Sequence, residues 1–410
     1  MMKVLLGTLA VLTLAACSKD EVVQQNPNDA ITFSVVTNKA VSRAADGYCN
    51  AVLPPNFKVW AKQGTKNYFA GEKYVRDGST THYVIEGPTR YWPESGTIDF
   101  FAALNYEGAS ASTVTWDATS ATEPAVISNF VVPNAVANQK DFIYAVLTGA
   151  DKTSKDNGLA TTKLNFRHGL CEVVFKAQNL NKNIYVEVTG VKVQNVQNKG
   201  TFKFPIASTN DKTNVDVDNP QDTEFQGEQG TWTTVPASLD SYNVTFDAVP
   251  VSQVATSAAA ASLTYDFDGT EPGARYSKNA LYLMEQQSTA LWDGSTALMS
   301  GSPLEYKKDC GAYLILTCSI WNVADGDGKE LDAAAKAKEV LLWDNKDIAV
   351  KLPALAWKHG RKYVYTFKFT ADGNGGTNPE DMTPVFTPIV LDVTVDDFVA
   401  ETDTPVSMVK

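Results

Sequence analysis

The chain is poor in the residues that carry chemistry. It holds three histidines, His82, His168 and His359, each in a different segment and each read as a structural residue within or beside a strand. No HExxH, paired CxxC or GxSxG pattern occurs, so zinc-hydrolase and serine-hydrolase readings lack their parts. Asp325-Gly326-Asp327-Gly328-Lys329 begins like a calcium loop. Its fifth position is lysine, however, and the turn glycine is replaced by Glu330. Asp396 and Asp397 are adjacent, and neighbours in a strand point to opposite faces, whereas a glycosidase needs two acids converging about 5–9 Å apart. The expectation is no enzyme, no cofactor and no metal.

Basic charge is also scarce. Lys plus Arg total 35 against 47 Asp plus Glu, a net charge of -12. Phosphate binding needs a basic face, so no nucleic acid is expected as a partner. Cysteine is sparse, with five in 410 residues. Apart from Cys17 these are Cys49, Cys171, Cys310 and Cys318, expected to be buried small apolar residues. Cys310 and Cys318 would lie roughly 26 Å apart in one extended strand, beyond disulfide reach.

Long apolar runs are absent too, save at the start. Lys3 precedes an uncharged, largely apolar stretch from Val4 to Ala16, shorter than the ~20 residues a spanning helix needs. It reads as a signal peptide, residues 1–17. Its end, Leu14-Ala15-Ala16-Cys17, resembles a bacterial lipobox, which implies cleavage before Cys17 and acylation of its thiol. Each buried acyl methylene contributes ~0.8 kcal/mol, enough for a firm anchor without a spanning helix.

Alternation of apolar and polar residues is abundant. Residues 18–29 are a polar tether, and Ile31, Phe33 and Val35 then mark a half-buried strand. Further strands are expected at 57–61, 83–85, 98–102, 142–146, 164–166, 171–175, 184–188, 191–193, 242–246, 281–283, 313–316 and 363–369. Turn residues such as Pro54-Pro55, Asp77-Gly78 and Gly87-Pro88 separate them. A polar break at 149–162 suggests domains over 44–150 and 160–410, preceded by an 18–43 tether and first strand. Ala, Lys and Leu predict a single short helix at Glu330–Leu342. Asn138-Gln139 and Gln194–Asn198 read as ordinary loop or edge polar residues. Many short strands without recurrent crossover helices predict an all-β fold of two tandem β-sandwich domains.

An ordered series of short motifs runs over nearly the whole mature chain. It comprises Ile31–Ser34 to Arg43-Ala44, Phe57–Ala61, Arg90–Pro93, Ile98–Ala102, Asp141–Ala145, Leu164–Leu170, Val191–Val196, Gly200–Phe202, Trp357–Tyr365 and Pro388–Phe398. In this order it resembles the fimbrillin family of Bacteroidales, the type V pilins and their Mfa-like relatives. The resemblance implies transthyretin-like β-sandwiches and an outer-membrane lipoprotein precursor anchored through Cys17. It further implies proteolysis after Arg43, with Lys39 as the alternative, and polymerisation into a cell-surface fimbria for adhesion. Partners would be other fimbrial subunits, self or related, with any surface receptor unspecified.

Loss of the strand carrying Ile31, Phe33 and Val35 would open an edge able to recruit another strand. A donor candidate is Ile389, Leu391, Val393 and Val395, one apolar face worth roughly 6–12 kcal/mol before ordering costs. If those residues form an ordinary strand, the tail from Phe398 to Val409 takes the donor role. The alternative function is a monomeric glycan-binding surface lipoprotein, in which Trp60, Trp92, Trp232 and Trp292 would form an exposed aromatic platform.

Overall fold

The computed structural model describes residues 29–37, 53–153, 162–209, 229–254, 258–264, 280–323, 330–371, 376–385 and 389–397. In chain order the first strands are β1 (Phe33–Thr37), β2 (Asn56–Gln63), β3 (Lys66–Arg76), β4 (His82–Ile85) and β5 (Ile98–Leu104). They are followed by β6 (Val114–Trp116), β7 (Ala125–Val131), β8 (Ile143–Ala150) and β9 (Thr162–His168). Next come β10 (Cys171–Asn179), β11 (Ile184–Gln197), β12 (Lys199–Lys203), β13 (Thr231–Thr234), β14 (Leu239–Val251) and β15 (Ala261–Ser262). The remainder are β16 (Leu281–Leu283), β17 (Met299–Ser300), β18 (Glu305–Tyr306), β19 (Tyr313–Asn322), β20 (Val340–Val350), β21 (Arg361–Phe369) and β22 (Ile389–Asp397). The all-β class follows directly.

Seven strands close into a ring in the order β1-β4-β3-β2-β5-β8-β9. Inside it pack Phe33, Phe57, Val59, Tyr74, Phe100, Ala102, Ile143, Ala145, Leu164 and Phe166. The alternate residues of β2, β5 and β8, including Trp60, Phe101, Tyr144 and Val146, face a second and larger core. Burial on both faces explains why β5 and β8 read as nearly continuous apolar runs rather than alternating ones. The sheet β13-β12-β7-β6 contributes Ile127, Phe130, Phe202 and Trp232 to that second core.

The same core is enclosed by two further sheets, β14-β11-β19-β20 and β15-β10-β21-β22 with β16 also on β10. Val173 and Phe175 of β10 meet residues such as Val186, Val188 and Leu316 there. The two sheets thus form a sandwich with inward apolar faces. β10 and β21 are parallel neighbours whose paired residues lie 190 positions apart in sequence, from Glu172↔Lys362 to Asn179↔Phe369. The division expected at 150–160 falls inside the ring, since β9 closes it against β1 and β8. Strands from both sides of that point also share the sheet β13-β12-β7-β6.

Three expectations are corrected. The helix expected over Glu330–Leu342 is a single turn, α1 (Ala333–Lys336), capped by Asp332, whose Oδ1 accepts from Ala335 N at 2.7 Å. From Val340 onward the chain pairs with β19, beginning at Asn322↔Val340. Helix propensities amount to tenths of a kcal/mol per residue and lose to a full ladder of strand pairing. Residues 184–188 and 191–193 belong to one strand, β11, with a pairing irregularity between Val188 and Gly190. Gln194, Asn195 and Gln197 are buried rather than edge residues. Asn195, at φ +60°, donates to Lys307 O and Gly311 O at 3.0 and 2.9 Å, and Gln197 exchanges hydrogen bonds with Gln286. Gln139 is likewise buried and accepts from Tyr282 N at 2.9 Å. These amides satisfy backbone groups that would otherwise be stranded in the interior.

Candidate functional site

β1 is a strand held between neighbours of opposite direction. It runs antiparallel to β4, Phe33 opposite Tyr83, and parallel to β9 from Phe33↔Thr162 to Thr37↔Phe166. Its approach is clamped by Arg90-Tyr91-Trp92: Ile31 N donates to Arg90 O at 2.7 Å, and Trp92 N to Asp29 O at 2.9 Å. Arg90 is itself fixed by an ion pair with Glu72.

The three side chains read as the apolar face of a half-buried strand point into the ring. Ile31, Phe33 and Val35 are 1%, 0% and 2% exposed. The Phe33 ring meets Tyr74 and Phe100 edge-on, with centroids at 4.7 and 5.1 Å, and Phe57 at 6.3 Å. Such pairs contribute about 0.5–1.5 kcal/mol each beyond area burial. The whole strand therefore plugs the ring through one apolar face. Cys17, Lys39, Arg43 and Cys49 lie outside the described residues.

The expected donor segment is β22, antiparallel to β21 along its full length, from Phe369↔Ile389 to Arg361↔Asp397. Ile389 is buried, and Leu391 and Val393 are half-buried against the larger core. The backbone of Val395 pairs with Tyr363. β22 has no partner on its other side among the described residues, so it forms a sheet edge. Val390 points outward at 45% exposure, and Asp392 is paired with Lys368 at 2.7 Å. An edge punctuated by charge resists unprogrammed pairing. Residues 398–410 lie outside the described residues.

Two histidine-glycine turns meet where the ring passes into the sandwich. His168 Nδ1 lies 2.9 Å from Asp141 Oδ2, and His359 Nδ1 lies 2.7 Å from Glu285 Oε2, all four side chains being buried. Gly360 N donates to Leu170 O at 2.8 Å, which stitches one turn to the other. Gly169 has no room for a side chain, since a Cβ would sit 2.2 Å from Phe142 Cδ1. Its carbonyl accepts from Trp232 Nε1 at 2.6 Å. Burial works to raise the Glu285 carboxyl, but hydrogen bonds from His359 and Lys358 outweigh it and hold the group at about 2. Sequence inspection missed these pairs because the partners are separated by 27 and 74 positions.

The remaining candidates are structural. Trp60, Trp232 and Trp292 are buried, and Trp92 is half-buried edge-on to Phe100 at 5.6 Å, so the four make no exposed platform. Cys171, Cys310 and Cys318 are free and buried, as expected, and burial pushes all three thiols up. His82 is half-buried, 3.7 Å from Asp77. Among the described residues no group of three metal-ligating side chains converges.

A sequence profile of the fimbrillin-like family matches residues 42–295. No curated protein sequence matches the chain. Among solved structures, it is similar to a candidate cell adhesion protein from Bacteroides uniformis, with TM-score 0.42 and 13% identity over 91% of this chain and 100% of that one. It is also similar to a fimbrilin from Porphyromonas gingivalis, with TM-score 0.37 and 13% identity over 92% and 99%. The truncated tip fimbrial protein Mfa3 of the same species gives TM-score 0.30 and 10% identity over 89% and 99%. Likeness at this level says nothing about function.

Proposed function

Since the chain belongs to the fimbrillin-like family, we propose that it is a structural subunit of a surface fimbria that supports adhesion. It reaches the outer membrane as a lipoprotein acylated at Cys17. A protease cutting after Arg43, or alternatively Lys39, then frees the β1 segment from the body of the subunit. A strand from a neighbouring subunit fills the groove, and repetition builds the fimbria.

The observation that carries this reading is the seating of β1. Its three anchors are buried, yet it belongs to the N-terminal side of both cleavage candidates. Once cut, it is tied to the ring by two ladders, by the backbone clamp at Arg90-Tyr91-Trp92 and by burial worth roughly 1.5–3 kcal/mol per side chain. Its departure leaves unpaired backbone on β4 and β9 beside an apolar trough, a template for strand addition.

On the donor side, Ile389, Leu391, Val393 and Val395 are the first candidates, but β22 must leave β21 before it can donate. That cost favours the segment after Asp397, whose alternation is weaker. The test is a Lys39→Ala/Arg43→Ala double variant produced in a Bacteroidales host. The precursor is expected to stay in the membrane fraction, with no fimbriae labelled by immunogold microscopy. Normal fimbriae from the double variant would sink the maturation scheme.

A further inference from the structure

Resting on the reading that β1 is released and replaced, we infer that the vacated groove selects a strand of the form aliphatic–x–aromatic–x–aliphatic, supplied by a different subunit rather than by a second copy of this chain. The groove has three side-chain sites at two-residue spacing, occupied by Ile31, Phe33 and Val35. Backbone pairing to β4 and β9 is open to any extended chain, so selection rests on what fills those sites.

The central site is the discriminating one. Phe57, Tyr74 and Phe100 surround the Phe33 ring, and Phe100 is braced from behind by Trp92 and Phe69 at 5.6 and 6.3 Å. Rings locked against rings do not collapse around a smaller guest, so an aliphatic residue there leaves a void. The flanking sites are as dry as the central one and admit no charge.

Neither C-terminal donor segment of this chain meets these requirements. Ile389, Leu391, Val393 and Val395 are aliphatic throughout. Beyond them, Val406-x-Met408-x-Lys410 places a lysine where Val35 is buried, and Thr404-x-Val406-x-Met408 puts valine in the aromatic site. Phe398 is aromatic, but its two-residue neighbours are Asp396 and Ala400, so centring it drives a carboxylate into a dry site. Neither of these candidate donor segments therefore carries the strand that the groove accepts, and the partner on this side is a related subunit.

The test uses digested protein freed of its released strand and titrated with four labelled peptides. These are residues 29–37, the same peptide with Phe33→Ala, residues 387–397 and residues 396–410. The 29–37 peptide is expected to bind tightest, with Phe33→Ala weaker by at least about 100-fold. Both C-terminal peptides are expected to be at least tenfold weaker. If either matches the 29–37 peptide, the inference falls while strand replacement stands, and the partner is a second copy. If no peptide binds, strand replacement itself fails and takes the inference with it. A second measurement uses the intact chain: Phe33→Leu is expected to speed protease capture of the β1 segment about tenfold. Unchanged retention of β1 with leucine would overturn the aromatic requirement.

Discussion

The Glu285 carboxylate makes a quantitative prediction about the junction between ring and sandwich. It accepts from His359 Nδ1 at 2.7 Å, Lys358 Nζ at 2.9 Å and Gln287 Nε2 at 3.3 Å. These bonds hold it at about 2, against 4.5 for an ordinary glutamate. A carboxyl depressed in the folded state adds stability above its unfolded pKa and loses it as pH falls through the folded one. The window is therefore pH 4.5 down to 2. The full shift corresponds to roughly 3 kcal/mol at 1.36 kcal/mol per unit. Lys358 is 61% exposed, so water screens its share of the interaction and about 2 kcal/mol is the better figure. Glu285→Gln keeps the shape and removes the charge. Urea unfolding at pH 7, 5, 4 and 3 should show wild type losing that extra stability on acidification while the variant does not. Other depressed carboxyls, Asp347 among them, shift both proteins alike and cancel in the difference. Parallel pH profiles for the two proteins would refute the clamp.

Other substitutions test the groove and its edges. Phe33→Ala in the full-length chain should cost about 3–5 kcal/mol in denaturant unfolding, and a loss under about 1 kcal/mol would show that β1 is not a packed element. Tyr74 buries a hydroxyl with no hydrogen-bond partner, so Tyr74→Phe should leave stability unchanged or raise it by about 1–2 kcal/mol. A clear loss of thermal stability would mean that the hydroxyl is satisfied. Ile389→Ala should cost about 2–4 kcal/mol and expose residues 389–397 to proteolysis. Full protection of that segment in the variant would show that β22 is held by its ladder alone.

Much of the strand content was legible because half-buried strands alternate visibly. Ile31, Phe33 and Val35 are the clearest case, and their alternation already identified the buried face of β1. Strands with weaker patterns were missed. β3 mixes Lys66, Asn67, Gly71 and Glu72 on a largely solvated surface, and it is fixed by pairing with β2 and β4 rather than by its own composition. The helical look of Glu330–Leu342 reflected local propensity alone. Lys336 is instead paired with Glu187 and lies over Tyr185 and Trp321 at 5.7 and 5.2 Å, contacts that no local window contains. Parallel pairing of β1 with β9 and of β10 with β21 joins segments too distant for any periodicity to link. The histidine–carboxylate pairs were invisible for the same reason.

The central claim is that cutting the chain between β1 and β2 turns a closed monomer into a polymerising subunit. The direct measurement is limited trypsin digestion of the protein lacking residues 1–17, followed by intact mass and size-exclusion chromatography, alone and with a related fimbrial subunit. The account predicts one clean cut after Arg43 or Lys39, loss of the β1 segment, and higher oligomers with the related subunit that fail to form when that subunit's C-terminal segment is deleted. A cut protein that stays monomeric at high concentration in both mixtures, or a chain that resists cleavage there, would contradict it.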